Sequence, residues 1–125
     1  MDQGLTPTAA KELGRAFRFA RLARDITLRE SAKRSGVSVQ YILNIEQGSK
    51  FSVSESILRK LGRGLGLPPV TMDNLLLRAR VLSALERRGL NPDQRAIIWT
   101  SLEIKLRELD IDVRESVREM VAELY

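Results

Sequence analysis

The chain has 125 residues, a net charge of +5, and neither cysteine nor histidine. This excludes disulfides, thiol nucleophiles and the commonest zinc ligands, agrees with a reducing cytoplasm, and leaves room for one compact domain or a small domain with an extension. No apolar run approaches the ~18 residues of a membrane span, and the opening MDQGLTPTAAKELG lacks the basic-then-apolar layout of a secretion signal.

Aromatic residues are scarce and helical periodicity runs nearly throughout, so the chain reads as all-α. Met1–Pro7 reads as a loose leader. A first helix is expected over Thr8–Arg24, with Leu13, Phe17 and Ala20 as its apolar stripe and Arg15, Arg18 and Arg24 off it. Those arginines either approach a polyanion or solvate a surface. The stretch Thr27–Gly48, TLRESAKRSGVSVQYILNIEQG, reads as two short helices and a tight turn. Thr27 caps the first of them, with Glu30 at the capping-box position. Ala32 is small enough for a close helix crossing, and Gly36 can end the helix in the left-handed conformation. Ser38 caps the second helix. Ile42 and Ile45 face inward, and Val39, Gln40, Leu43 and Asn44 share an outward face.

Ser49–Ser52 is a loop carrying Lys50. Val53–Leu65 reads as a fourth helix, with Ser52 or Ser54 as cap and Ile57, Leu58, Leu61 and Leu65 apolar. Gly62, Gly64 and Gly66 there imply either close packing or a frayed last turn. Pro68–Pro69 marks a boundary between a unit at 8–67 and a helical region at 70–125, although the fifth helix can pack on the first unit. That helix, Thr71–Arg88, carries Met72, Leu75, Leu76, Ala79, Leu82 and Leu85. Gly89 stops it, and Asn91-Pro92-Asp93 starts a sixth, which buries Ile98, Leu102, Leu106 and Leu109 with Trp99 beside the stripe. A seventh carries Val113, Val117, Met120, Val121 and Leu124.

The register of Thr27, Glu30, Ala32, Gly36, Val37, Ser38, Ile42, Ile45, Glu46 and Gly48, with Arg21 upstream, resembles the helix-turn-helix of the XRE family, the lambda-repressor and Cro-like regulators. The resemblance covers Leu13–Leu67. Ser31 and Ser35 stand where the family places apolar residues, and Leu28 stands where it often places a polar DNA contact. The resemblance implies a five-helix lambda-repressor-like DNA-binding domain followed by a short C-terminal helical dimerisation segment. It also implies that Arg21 pairs with Glu46, that Val39, Gln40, Leu43 and Asn44 read bases, and that Arg18, Arg21, Thr27, Ser38 and Lys50 meet the DNA backbone. A fragment ending near Leu67 is expected to keep the helix-turn-helix.

Charge agrees with this layout. Residues 1–67 carry 12 Lys and Arg against 6 Asp and Glu, a net of +6, and residues 68–125 carry 9 against 10, a net of −1. A basic head on a neutral tail suits double-stranded DNA at one end and a partner at the other. Glutamine and asparagine can each form two hydrogen bonds to adenine, and valine and leucine can touch thymine methyls. One head buries little surface for specific binding, so a homodimer on an inverted repeat is expected, joined through Ile98, Leu102, Leu106, Leu109, Val117, Val121 and Leu124. The alternative is that these stripes pack on the head within one chain.

Catalysis has little support. Ser101 and Lys105 share a helix face, but self-cleaving repressors use a β-rich catalytic part. The acidic residues Glu103, Glu108, Asp110, Asp112 and Glu115 read as a solvated face rather than a metal site, and no cofactor is implied. The expected function is a sequence-specific transcriptional regulator, a repressor by preference, in a prokaryotic, phage or mobile-element setting. Its control could fall to an antirepressor or a protease acting on the C-terminal helices. The rival reading is an antiactivator or adaptor that keeps the fold without binding DNA, favoured by the apolar Leu28, Val39 and Leu43.

Overall fold

The computed structural model describes residues 4–49 and 54–108. Six helices follow in order: α1 (Pro7–Ala23), α2 (Leu28–Ser35), α3 (Val39–Glu46), α4 (Glu55–Gly64), α5 (Pro69–Arg87) and α6 (Pro92–Glu108). Lys50, Leu109 and the stretch read as a seventh helix, with Val117, Val121 and Leu124, lie outside the described residues.

Each of the first four helices starts at a hydroxyl that satisfies an otherwise orphaned first-turn amide. Thr6 accepts from the Ala9 amide, Thr27 from Glu30, Ser38 from Tyr41 and Ser54 from Ile57. The Glu30 carboxylate does not complete the capping box. It takes the Arg34 guanidinium, one turn on, at 2.7 Å instead. Gly36 closes α2 at φ +75°, where a side chain would be strained. The α6 start forms both halves of a reciprocal cap, the Gln94 amide to Asn91 Oδ1 and the Asn91 amide to Gln94 Oε1, each at 2.9 Å.

Leu13, Phe17, Ile26, Val37, Ile42, Ile45, Leu58, Leu61 and Leu65 form the main core. Met72, Leu76 and Ala79 of α5 belong to the same cluster, so Pro68–Pro69 is not where this core ends. Pro69 opens α5 at a position that needs no amide, and the core continues through it. An ion network ties α4 to α5. Arg59 meets Asp73 at 2.6 Å and Glu55 at 3.6 Å, and Arg80 meets Glu55 at 3.1 Å. Burial opposes the Arg59 charge, but the Asp73 hydrogen bond and the two acidic neighbours raise its pKa overall. The glycines of α4 serve packing: a Cβ on Gly62 would press on Met72, and one on Gly64 would crowd Ser35.

The other face of α5 forms a second cluster, Leu77, Val81 and Leu82 with Trp99 and Leu106 of α6. The sixth helix therefore turns differently from its expected stripe. Trp99 is buried, Leu102 is half-buried, and Ile98 is exposed. Trp99 offers the largest apolar area on the helix, and its burial sets the rotation.

Gly4–Thr8 is not a loose leader. The Thr6 amide donates to Ser83 Oγ at 3.2 Å, Thr8 Oγ1 donates to Glu86, and the Arg87 guanidinium donates to the Gly4 carbonyl. Thr6 and Ser83 are both buried.

Ser31, at the expected core position of α2, is fully buried, and its hydroxyl has no hydrogen-bond partner. An unpaired buried hydroxyl costs about 1–3 kcal/mol. Ser31→Ala is therefore expected to raise stability by about 1 kcal/mol, seen as a higher urea midpoint at unchanged slope. A lower midpoint would mean the hydroxyl contributes a bond. Ser35 solves the same problem locally, since Oγ donates to the Ser31 carbonyl at 2.7 Å and accepts the Val37 amide at 3.2 Å.

Candidate functional site

Two eight-residue helices, α2 and α3, meet across the Gly36 turn. Ile42, Ile45 and Glu46 of α3 are buried, which leaves the opposite side of the helix outward. Val39 and Gln40 are exposed there, while Leu43 and Asn44 are half-buried. The four residues singled out from the sequence thus share one outward surface, with its polar groups on Gln40 and Asn44. These two side chains are joined, Gln40 Nε2 donating to Asn44 Oδ1 at 2.9 Å. The Asn44 carbonyl accepts both the amide and the hydroxyl of Ser49, each at 3.0 Å, and so fixes the exit of α3.

Besides the buried Ile42 and Ile45, the pair Arg21–Glu46 ties the end of α3 to α1. Arg21 Nε donates to Glu46 Oε2 at 2.8 Å and NH2 to Oε1 at 3.0 Å, while NH1 donates to the Ile26 carbonyl at 2.9 Å. Both side chains are largely buried, at 10% and 4% exposure. The Glu46 hydrogen bond raises the Arg21 pKa above its ordinary value, against the opposing effect of burial and with the help of the Glu46 charge. Such a two-pronged contact fixes geometry as well as adding energy. Three of the five guanidinium N–H groups of Arg21 are engaged inside, and its side chain is 10% exposed.

Thr27 and Ser38 are exposed at the N-termini of α2 and α3, where orphan amides and the helix dipole favour negative charge. Arg18 is exposed on α1. Arg29 and Lys33, which the sequence reading passed over, are exposed one turn apart on α2, and with Thr27, Glu30 and Arg34 they line an open groove. Their four-residue spacing on a predicted helix was the available signal.

On α6 the structure separates the residues expected to act together. Leu106 is buried against α5 and Ile98 is exposed. The outward apolar residues are Ile97, Ile98 and Ile104, with 67% and 52% exposure for the first and last. Ser101 and Lys105 form no pair, since Ser101 Oγ donates to the Ile97 carbonyl and Lys105 lies 4.0 Å from Glu108. Among the described residues no helix is long and apolar enough to cross a membrane.

The profile of a family described as a helix-turn-helix domain matches residues 12–75. Proteins named as uncharacterized HTH-type transcriptional regulators of Mycobacterium bovis and Mycobacterium tuberculosis are 38% identical over 66 residues, which is 53% of this chain and 25% of theirs. The chain thus spans about a quarter of the length of the curated relatives it matches. No solved structure gives a significant match.

Proposed function

This chain belongs to the helix-turn-helix domain family, and from that membership we propose that it is a sequence-specific transcriptional repressor of the lambda-repressor-like type. The observation that carries the reading is the outward surface of α3. Val39, Gln40, Leu43 and Asn44 face away from the core on a helix whose end is locked by Arg21–Glu46. A helix of this width enters a major groove, where the amides meet base edges and Val39 and Leu43 meet thymine methyls. Thr27 and Ser38, at the helix N-termini, meet phosphates. Arg18, Arg29 and Lys33 supply cationic contacts, as does Lys50. A second copy supplies the second half-site of an inverted repeat, and repression follows from occlusion of a promoter. The outward isoleucines of α6, rather than Leu102 and Leu106, are the apolar groups offered to that copy.

Selection of bound duplexes from a random pool by the full chain tests the class. An enriched inverted repeat with half-sites about 10 base pairs apart is the expected result. Equal recovery of all sequences would overturn the reading. On the selected site, affinity is expected to fall by roughly 0.9 power of salt concentration for each phosphate neutralised. Gln40→Ala should cost about 1–3 kcal/mol there with unchanged far-ultraviolet circular dichroism. Binding equal to the parent would remove Gln40 as a reader.

A further inference from the structure

The hydrogen bond between Gln40 and Asn44 bears on which bases can be read. A carboxamide offers two N–H donors and a carbonyl oxygen with two lone pairs. Used alone, each of these side chains could meet adenine with both groups, donating to N7 and accepting from N6. The two are not independent here. Gln40 spends one N–H on the Asn44 oxygen, at 2.9 Å. Gln40 keeps one donor and its carbonyl, which is still the adenine pattern. Asn44 keeps two free donors, and one of the two lone pairs of its oxygen is taken. Its free donors suit an edge made of acceptors, namely guanine N7 and O6 or thymine O4.

The joint also has a mechanical side. Gln40 is exposed and would otherwise sample many rotamers, each of which must be given up on binding. Asn44 is half-buried, and its backbone carbonyl is held by Ser49 through two bonds. The more enclosed side chain thus holds the more exposed one, a turn away on the same face.

We propose that Gln40 and Asn44 act as one reading unit, in which Asn44 positions Gln40 for adenine and itself reads an adjacent guanine or thymine through its amide donors. This rests on the DNA-binding reading above. Asn44 is here both a positioning residue and a reader, and the two roles separate by substitution. Asn44→Asp keeps an oxygen for the Gln40 N–H but turns the outward donors into acceptors. Asn44→Ala removes both the support and the donors.

The test is the same duplex selection run on the full chain and on Asn44→Asp, Asn44→Ala, Gln40→Ala and the double alanine variant, each first shown to melt as the parent does. The parent is expected to enrich adenine next to guanine or thymine. Asn44→Asp should keep the adenine and move the adjacent preference toward cytosine, whose N4 amine is a donor. Asn44→Ala should weaken the preference at both positions. On the parent's best site each single alanine change should cost about 5- to 150-fold in affinity. The double variant should bind at least about threefold better than the product of the single losses predicts, as for residues in one hydrogen-bonded network. If Asn44→Ala loses only its own position while adenine stays equally preferred, and the losses multiply, the unit does not exist although DNA reading stands. A parent that enriches no sequence at all would overturn both this inference and the DNA-binding reading.

Discussion

Glu46→Ala is expected to destabilise the protein by about 3–5 kcal/mol. The reason is asymmetry. Two buried charges that satisfy each other can be nearly neutral in net stability, because desolvation offsets their attraction. Removing one leaves the other with the desolvation cost alone. Arg21 would keep only the Ile26 carbonyl for NH1, with Nε and NH2 stranded where the side chain is 10% exposed. A loss of this size is a large part of the 5–15 kcal/mol that typically separates folded from unfolded chains. It should lower the melting temperature by roughly 10–20 °C. Glu108→Ala, at an exposed glutamate, should stay within about 0.5 kcal/mol. The paired replacement Arg21→Met with Glu46→Leu should recover much of the loss, since apolar groups of similar volume often substitute for a buried ion pair without penalty. A single variant as stable as the exposed control would show that the pair is solvated in solution.

Gly14→Ala is expected to cost about 3 kcal/mol, at the upper end of overpacking effects, and to weaken DNA binding as well. A Cβ at this point of α1 would stand 2.2 Å from the Ile45 carbonyl oxygen and 2.7 Å from that of Glu46. Both are backbone atoms of the last turn of α3, so no rotamer change can make room. Relief requires moving α3 away from α1. Alanine is otherwise the better helix former by about 1 kcal/mol, which makes a destabilising outcome diagnostic of the clash. Chemical denaturation measures the stability term. Amide chemical shifts along α3, compared with those of α6, report the displacement. A variant as stable as the parent, with α3 shifts unchanged, would mean the two helices are farther apart in solution.

The head was legible in the sequence because its signals are local. Thr27 and Ser38 cap, Gly36 turns, and Ile42 and Ile45 have only one face to bury. The Arg21–Glu46 pair lies 25 residues apart in sequence and came from the family resemblance rather than from spacing. The tail was harder for two reasons. The residues Ala96-Ile97-Ile98-Trp99 are apolar in every direction around one turn, so periodicity does not say which of them goes inside. And α5 is buried on two sides, against the head by Met72, Leu76 and Ala79 and against α6 by Leu77, Val81 and Leu82, which blurs any single stripe. Ser83, a polar residue within α5, is the buried partner of Thr6, a pairing 77 residues apart that no local pattern announces. In the site itself, the outward face of α3 followed from helical period, but the bond between Gln40 and Asn44 needed coordinates. Their four-residue spacing allows it without requiring it.

The extension of the core into α5 has a consequence for synthesis. A ribosome adds about 5–20 residues per second, and the head's apolar residues Leu13, Phe17 and Ile42 emerge well before Met72, Leu76 and Ala79. A nascent chain ending near Leu67 therefore holds the whole helix-turn-helix and still lacks one wall of its core, and an excised fragment with that end shares the defect. Through this interval the apolar surface is open to chaperones and to other nascent chains. It closes only when α5 emerges, which also brings Ser83, Glu86 and Arg87 back onto Gly4–Thr8, the first described residues to be made. The segment Gly4–Thr8 thus waits for the fifth helix before it is fastened, and a chain cut short of α5 carries the motif without one wall of its core.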